Sequence, residues 1–138
     1  MADRLRRDGL TAADLITMAS WRNTKPQLLR SRWVTHPVLQ RDWLRRMQRE
    51  GGIVAGLRQG YQLVAYLALY PRHADYAELG WLHAGAVTDT VCITEGVALA
   101  KDVGLRYLIA FPTSASRAAA LCNRGFVAPQ GGLYILTL

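Results

Sequence analysis

Apolar positions switch between a helical period and an alternating one along this chain, and the switches mark its elements. Residues 4–7 read as a short strand. Thr11 is placed to cap a helix carrying Leu15, Ile16, Met18, Ala19 and Arg22, which Asn23, Thr24 and Pro26 end. A second helix is predicted from Thr35 as cap and Pro37 in the first turn, with Leu39, Trp43, Leu44 and Met47 at helical spacing and Gly51-Gly52 as its stop. Its opposite face carries Arg41, Arg45 and Arg49. Period two then takes over. Strands over 53–58 and 61–70 flank Gln59-Gly60, a tight-turn signal, and a third strand over 76–83 follows a connection at 71–75, so these three predict an antiparallel meander. Beyond Gly85 the pattern predicts a helix over 89–103 with Gly104 past its end, then a buried strand over 105–111. A last helix over 117–123, capped by Thr113 or Ser114 and ended by Gly125, leads into a hairpin of 126–128 with 133–138. The order β-α-α-β-β-β-α-β-α-β-β mixes a meander with a helix crossover between neighbouring strands, which places the chain in the α/β class as an α+β mixed sheet.

Composition narrows this picture. At 138 residues, 51% of them apolar, the chain suits one domain over 1–138 with a real core. Its longest apolar runs, such as 63–70, are too short to span a bilayer, and its N-terminus is charged, so a soluble protein that is not secreted is expected. Cys92 and Cys122 lie in apolar helical contexts without a C-x-x-C spacing and read as a buried, reduced pair. The net charge of +7 is uneven: residues 1–50 hold eleven Arg and Lys against five Asp and Glu, the rest six against five. That asymmetry fits an acidic partner, with nucleic acid reachable through Arg30, Arg32, Arg41, Arg45 and Arg49, or a solvated arginine surface; no nucleic-acid reader motif accompanies it. His36, His73 and His83 fall in separate segments without metal-ligand spacing, so no metal site is expected. Neither a G-x-S-x-G elbow nor a phosphate-binding G-x-x-x-x-G-K-[ST] loop occurs.

Several local strings resemble the GNAT acyl-CoA-dependent N-acyltransferases, in particular the branch that modifies amino sugars and ribosomal protein N-termini. Arg4-Leu5-Arg6, the run from Leu10 to Asp14 and Trp21-Arg22-Asn23 look like the first strand, first helix and W-R-N element of that branch. His36 and Trp43 fall in a helix resembling its next element. Ala77-Glu78-Leu79-Gly80-Trp81 is similar to the fourth strand, Thr94-Glu95 to the helix after it, and the stretch from Ala120 to Gly125-Phe126 to the close of the fold.

The resemblance implies acetyl-CoA as cofactor, with a glycine-rich turn before the third helix cradling its pyrophosphate on backbone N–H groups. By family position the cofactor residues are Leu82, Gly85, Ala86, Val87, Thr88, Asp89, Thr90 and Ser114, with backbone amides near Leu82 at the oxyanion. This turn departs from the pattern: it holds one glycine and no basic residue, and Asp89 stands where the helix receives phosphate. As a cap, Asp89 is expected to satisfy the helix amides itself and to repel a pyrophosphate. The tyrosine that returns a proton to the leaving thiolate aligns with Leu121, leaving Glu78 as candidate base and Cys122 or Tyr134 as candidate acid. Pairing of Glu78 with an arginine, a core role for Cys122 and packing of Tyr134 in the hairpin are the alternatives.

Two functions follow. One is a GNAT-like domain that has lost the cofactor and serves as a structural or interaction component of an assembly; a loose similarity to an internal virion protein of short-tailed phages suggests a virion. The other is an active N-acetyltransferase that moves an acetyl group from acetyl-CoA to an amine on a protein N-terminus, an amino sugar or a small molecule. Localisation is accordingly expected to be cytoplasmic or virion.

Overall fold

The computed structural model describes residues 5–24, 36–71, 73–85 and 87–138. Its elements run β1 (Leu5–Asp8), α1 (Ala12–Thr24), α2 (Pro37–Arg49), β2 (Ile53–Gln59), β3 (Gln62–Pro71), β4 (Tyr76–His83), α3 (Asp89–Asp102), β5 (Tyr107–Ala110), α4 (Ala115–Asn123), β6 (Val127–Gln130) and β7 (Leu133–Thr137). The order is the one the sequence pattern predicts. One seven-stranded sheet, in the order β1-β2-β3-β4-β5-β7-β6, holds every strand of the described residues. Its pairings are antiparallel except β4 with β5, which the α3 crossover makes parallel.

Local chemistry sets most boundaries. Thr11 and Asp14 exchange hydrogen bonds, Thr11 N–H to Asp14 Oδ2 at 2.7 Å and Asp14 N–H to Thr11 Oγ1 at 3.2 Å, a reciprocal cap that starts α1. The cap of α2 is His36, whose Nδ1 accepts the Val38 N–H at 3.1 Å; the expected cap, Thr35, lies outside the described residues. Gly60 takes the left-handed conformation that the β2–β3 turn needs, at φ 63°, and Tyr61 is 99% exposed in that turn, so β3 begins one residue later than expected. Phe126, expected in a strand, is instead buried in the core, and β6 starts after it.

The two faces of the sheet carry different helices. Ala65, Leu67 and Leu69 of β3 and Ala77, Leu79 and Trp81 of β4 pack with Cys92, Ile93, Val97 and Ala100 of α3 and with Ala120 and Leu121 of α4. Tyr66 and Leu82 pack on the other face with Leu15 and Met18 of α1 and with Trp43 and Leu44 of α2. A bulge between Leu57 and Arg58 puts both Leu63 and Val64 of β3 against one step of β2, so Leu63 joins the α1 face while Ala65 joins the α3 face. Gly96 lets α3 come down onto β4: a Cβ there would stand 2.7 Å from Leu79 Cδ1.

Candidate functional site

The parallel pair β4–β5 is short. Its register runs Tyr76 to Tyr107, Ala77 to Leu108 and Glu78 to Ile109 and ends there. Residues 79–83 of β4 continue against β3 alone, from Leu79 opposite Leu69 to His83 opposite Ala65. The sheet thus opens at its centre just before the chain turns into α3. At the end of that opening lies a cleft of about 470 Å³ between the start of α3 and one side of α4, lined among others by His83, Gly85, Val87, Thr88, Asp89, Thr90, Ser116 and Asn123.

The helix end at this cleft is built differently from the sequence expectation. Thr88, not Asp89, is the N-cap: its backbone is extended and its Oγ1 accepts the Val91 N–H at 3.3 Å. Both residue types can cap, and their neighbouring positions left the sequence reading one residue out. Asp89 is the first helical residue, and its carboxylate turns inward. Its Oδ1 accepts the Trp81 Nε1–H at 2.8 Å and contacts His83 Nε2 at 2.9 Å. A carboxylate only accepts, so Nε2 is the protonated ring nitrogen in that bond. Arg117 Nε lies 3.4 Å from the same oxygen, close enough for charge attraction but not aligned as a hydrogen bond. The N–H groups of Asp89 and Thr90, in the first turn, have no acceptor within their own helix.

Arg117 is the residue that sequence reasoning missed. It is 5% exposed, and its guanidinium sits over the Trp81 ring at 4.6 Å from the centroid. Burial pulls its pKa below the usual arginine value, against the opposing charge of Asp89, yet a guanidinium keeps its proton in proteins. The available signal was its place in the buried stripe Arg117, Ala120, Leu121 of α4, where an apolar residue is the ordinary occupant.

The remaining candidates fall in several places. Gly85 is exposed, its φ is not positive, and among the described residues beyond its chain neighbours a Cβ there would meet nothing within 4 Å. Val87 is buried in the core beneath the turn, and Ala86 lies outside the described residues. Ser114 caps α4, its Oγ accepting the Arg117 N–H at 3.1 Å. Glu78 is buried opposite Tyr70 and shares the α1 and α2 face with Leu82 and Tyr66, as the register fixes. Tyr134 pairs with Ala110 and packs on the other face, so the structure separates candidate base from candidate acid by the thickness of the sheet. The thiols do not form the buried pair that was expected. Cys92 is fully buried, and desolvation, reinforced by Asp89, pushes it up to about 12; Cys122 is exposed because it falls off the inward stripe of α4. Arg41, Arg45 and Arg49 are exposed on α2, with Asp42 3.6 Å from Arg41, whereas Arg30 and Arg32 lie outside the described residues. Among the described residues no three His, Cys, Asp or Glu side chains converge as a metal site, and no helix is long and apolar enough to cross a membrane.

No family model matches the sequence, and no curated protein is significantly similar to it. Solved structures do match. A GNAT superfamily phosphinothricin acetyltransferase from Sinorhizobium meliloti, solved with acetyl-CoA, has a TM-score of 0.80 at 14% identity, over 100% of this chain and 89% of that one. A putative acetyltransferase from Acinetobacter baylyi gives 0.80 at 12% identity over 100% and 93% of the two chains. The ribosomal-protein-alanine N-acetyltransferase of Brucella melitensis gives 0.77 at 19% identity over 98% and 99%. With the mixed seven-stranded sheet, parting central strands and four helices of its described residues in this order, the chain has the GNAT fold that these acetyltransferases share.

Proposed function

We propose that the protein is an acyl-CoA-dependent N-acyltransferase that transfers an acetyl group from acetyl-CoA to an amine. The observation that carries this is the parting of β4 and β5 beyond the Glu78 and Ile109 pair, together with a cleft at the start of α3 that His83, the last residue of β4, lines. A gap between strands is the place in a sheet where groups on both faces can approach one atom. The Asp89 and Thr90 N–H groups, without helical acceptors, are donors suited to a pyrophosphate, and the open space at Gly85 leaves room for it. Acetyl-CoA, when bound, supplies the activated thioester carbonyl.

This chain's own groups are then assigned as follows. The acceptor approaches from the α1 and α2 face, where Glu78 takes the proton that the amine nitrogen gives up as its bond to carbon forms. Backbone N–H groups alternate along β4: that of Ala84 donates to Val64 O of β3, so that of Leu82, two residues back, faces β3 as well. Trp81, on the margin freed beyond the Glu78 and Ile109 pair, is the candidate N–H donor to the carbonyl oxygen. Tyr134 stands one register step beyond Ile109 on the cofactor's face, placed to return a proton to sulfur as the carbon–sulfur bond breaks. Cys122, exposed on α4, is the less well placed acid.

One observation favours a second reading. The turn before α3 has a single glycine and no cation, which fits a domain that keeps this fold without acyl transfer and serves as an assembly component, a virion included. Its acidic partner would then meet the exposed row Arg41, Arg45, Arg49. Calorimetric titration with acetyl-CoA, followed by release of free thiol in the presence of amines, separates the two. Micromolar binding with turnover supports the enzyme; no binding sinks it and leaves the second reading.

A further inference from the structure

We propose that Arg117 is a positioning residue that cancels the charge of Asp89 at the N-terminus of α3, so that this helix end still takes a phosphate although its first residue is an aspartate. The inference rests on the acyl-CoA reading above and adds the residue that makes it electrostatically possible.

A helix N-terminus carries roughly half a positive charge, and a full negative charge on its first residue would reverse the sign of the field at the cleft. Asp89 is that residue, and it lines the cleft. The turn preceding it contains no Arg, Lys or His beyond His83, which is the third partner of the same carboxylate oxygen. The compensating cation comes from another helix. Arg117 on α4 comes to 3.4 Å from Asp89 Oδ1, and Trp81 contacts both charges: the indole ring stacks on the guanidinium and the indole N–H holds the carboxylate.

An ion pair made for stability alone would look different. Among the described residues, Arg117 Nε and Nη2 are buried without a hydrogen-bond partner, so the guanidinium has not been given the aligned, two-pronged contact that offsets its desolvation. Apolar residues fill the rest of its stripe on α4. What the buried cation does supply is charge, within one turn of the helix end that the cofactor's pyrophosphate would use.

The test is calorimetric titration of CoA into the full chain and into the variants Arg117→Met, Asp89→Asn, the double variant and Arg117→Lys. Unmasking Asp89 in Arg117→Met weakens CoA by about tenfold or more, and Arg117→Lys retains most of the affinity. Asp89→Asn tightens CoA several-fold even though it weakens contacts to Trp81, His83 and Arg117, and the double variant returns close to the parent. A purely structural pair predicts the opposite for Asp89→Asn, a loss, and an unchanged or weakened CoA affinity in that variant overturns the proposal. If circular dichroism shows Arg117→Met to be unfolded, Asp89→Asn and Arg117→Lys decide it alone. CoA binding by the parent without this pattern of signs overturns the inference and spares the acyl-CoA reading; no CoA binding by the parent overturns both.

Discussion

Arg58 of β2 and Asp14 of α1 form a buried ion pair that fixes the first helix to the sheet. Arg58 Nη1 donates to Asp14 Oδ1 at 3.1 Å and Nη2 bonds Oδ2, while the same carboxylate closes the α1 cap by accepting the Thr11 N–H. Side-chain exposures of 12% and 8% place both charges out of water. Removing one partner strands the other, so Arg58→Met is expected to cost about 3 kcal/mol, measured by urea denaturation.

The same pair sets part of the acid response. Burial pushes the Asp14 carboxyl up, but the Arg58 hydrogen bonds and the Thr11 cap outweigh it and hold the carboxyl below its usual range. Its stabilisation is therefore complete above the unfolded value near 3.9 and fades as pH falls through the lower folded value. Asp14→Asn, less stable at neutral pH, should show a flatter loss of stability on its acid limb than the parent.

The two cysteines should separate cleanly in a thiol titration. Cys122 is exposed and reacts with an aromatic disulfide reagent in the native state, whereas Cys92, buried and pushed up to about 12, reacts only on unfolding. Native protein then shows one fast thiol, Cys122→Ser shows none, and acetyl-CoA binding by Cys122→Ser stays at the parent's level.

These cases mark what the sequence could carry. Gly51-Gly52, Pro37, Gly60 and Gly104 punctuate the chain through local φ and N–H requirements, which depend on neighbours only, so the elements and their order were legible. Cys122 was misplaced because a helix of nine residues has a narrow inward stripe, and one position of phase turns a side chain from core to solvent. Asp89 was placed at the right helix end, one residue late as the cap. The inward stripe of α4 signalled the burial of Arg117, but not its meeting with Asp89, which depends on how α4 docks against α3, a tertiary fact with no local spacing to announce it.

Close packing of α3 on β4 gives a stability prediction independent of the site. Gly96 leaves no space above Leu79, which is itself 3% exposed, so Gly96→Val forces two packed elements apart. Overpacking of this kind costs about 1–3 kcal/mol, and a β-branched residue adds little helix propensity to offset it. A lowered Tm at unchanged secondary structure by circular dichroism is the expected outcome.

Gly85 supplies the converse test, of function without stability. Its backbone is not in the left-handed region, and among the described residues beyond its chain neighbours a Cβ there meets nothing within 4 Å, so the described fold makes no demand for glycine at this position. Gly85→Val should leave stability within about 0.5 kcal/mol of the parent, as a surface substitution without strain does. If the turn must let a pyrophosphate close to its backbone, the same substitution weakens acetyl-CoA binding by about tenfold or more, because the added methyl groups stand where the ligand would. Thermal denaturation and calorimetric titration on one preparation read both quantities. An unchanged Tm with unchanged acetyl-CoA affinity would show that the ligand does not approach this turn.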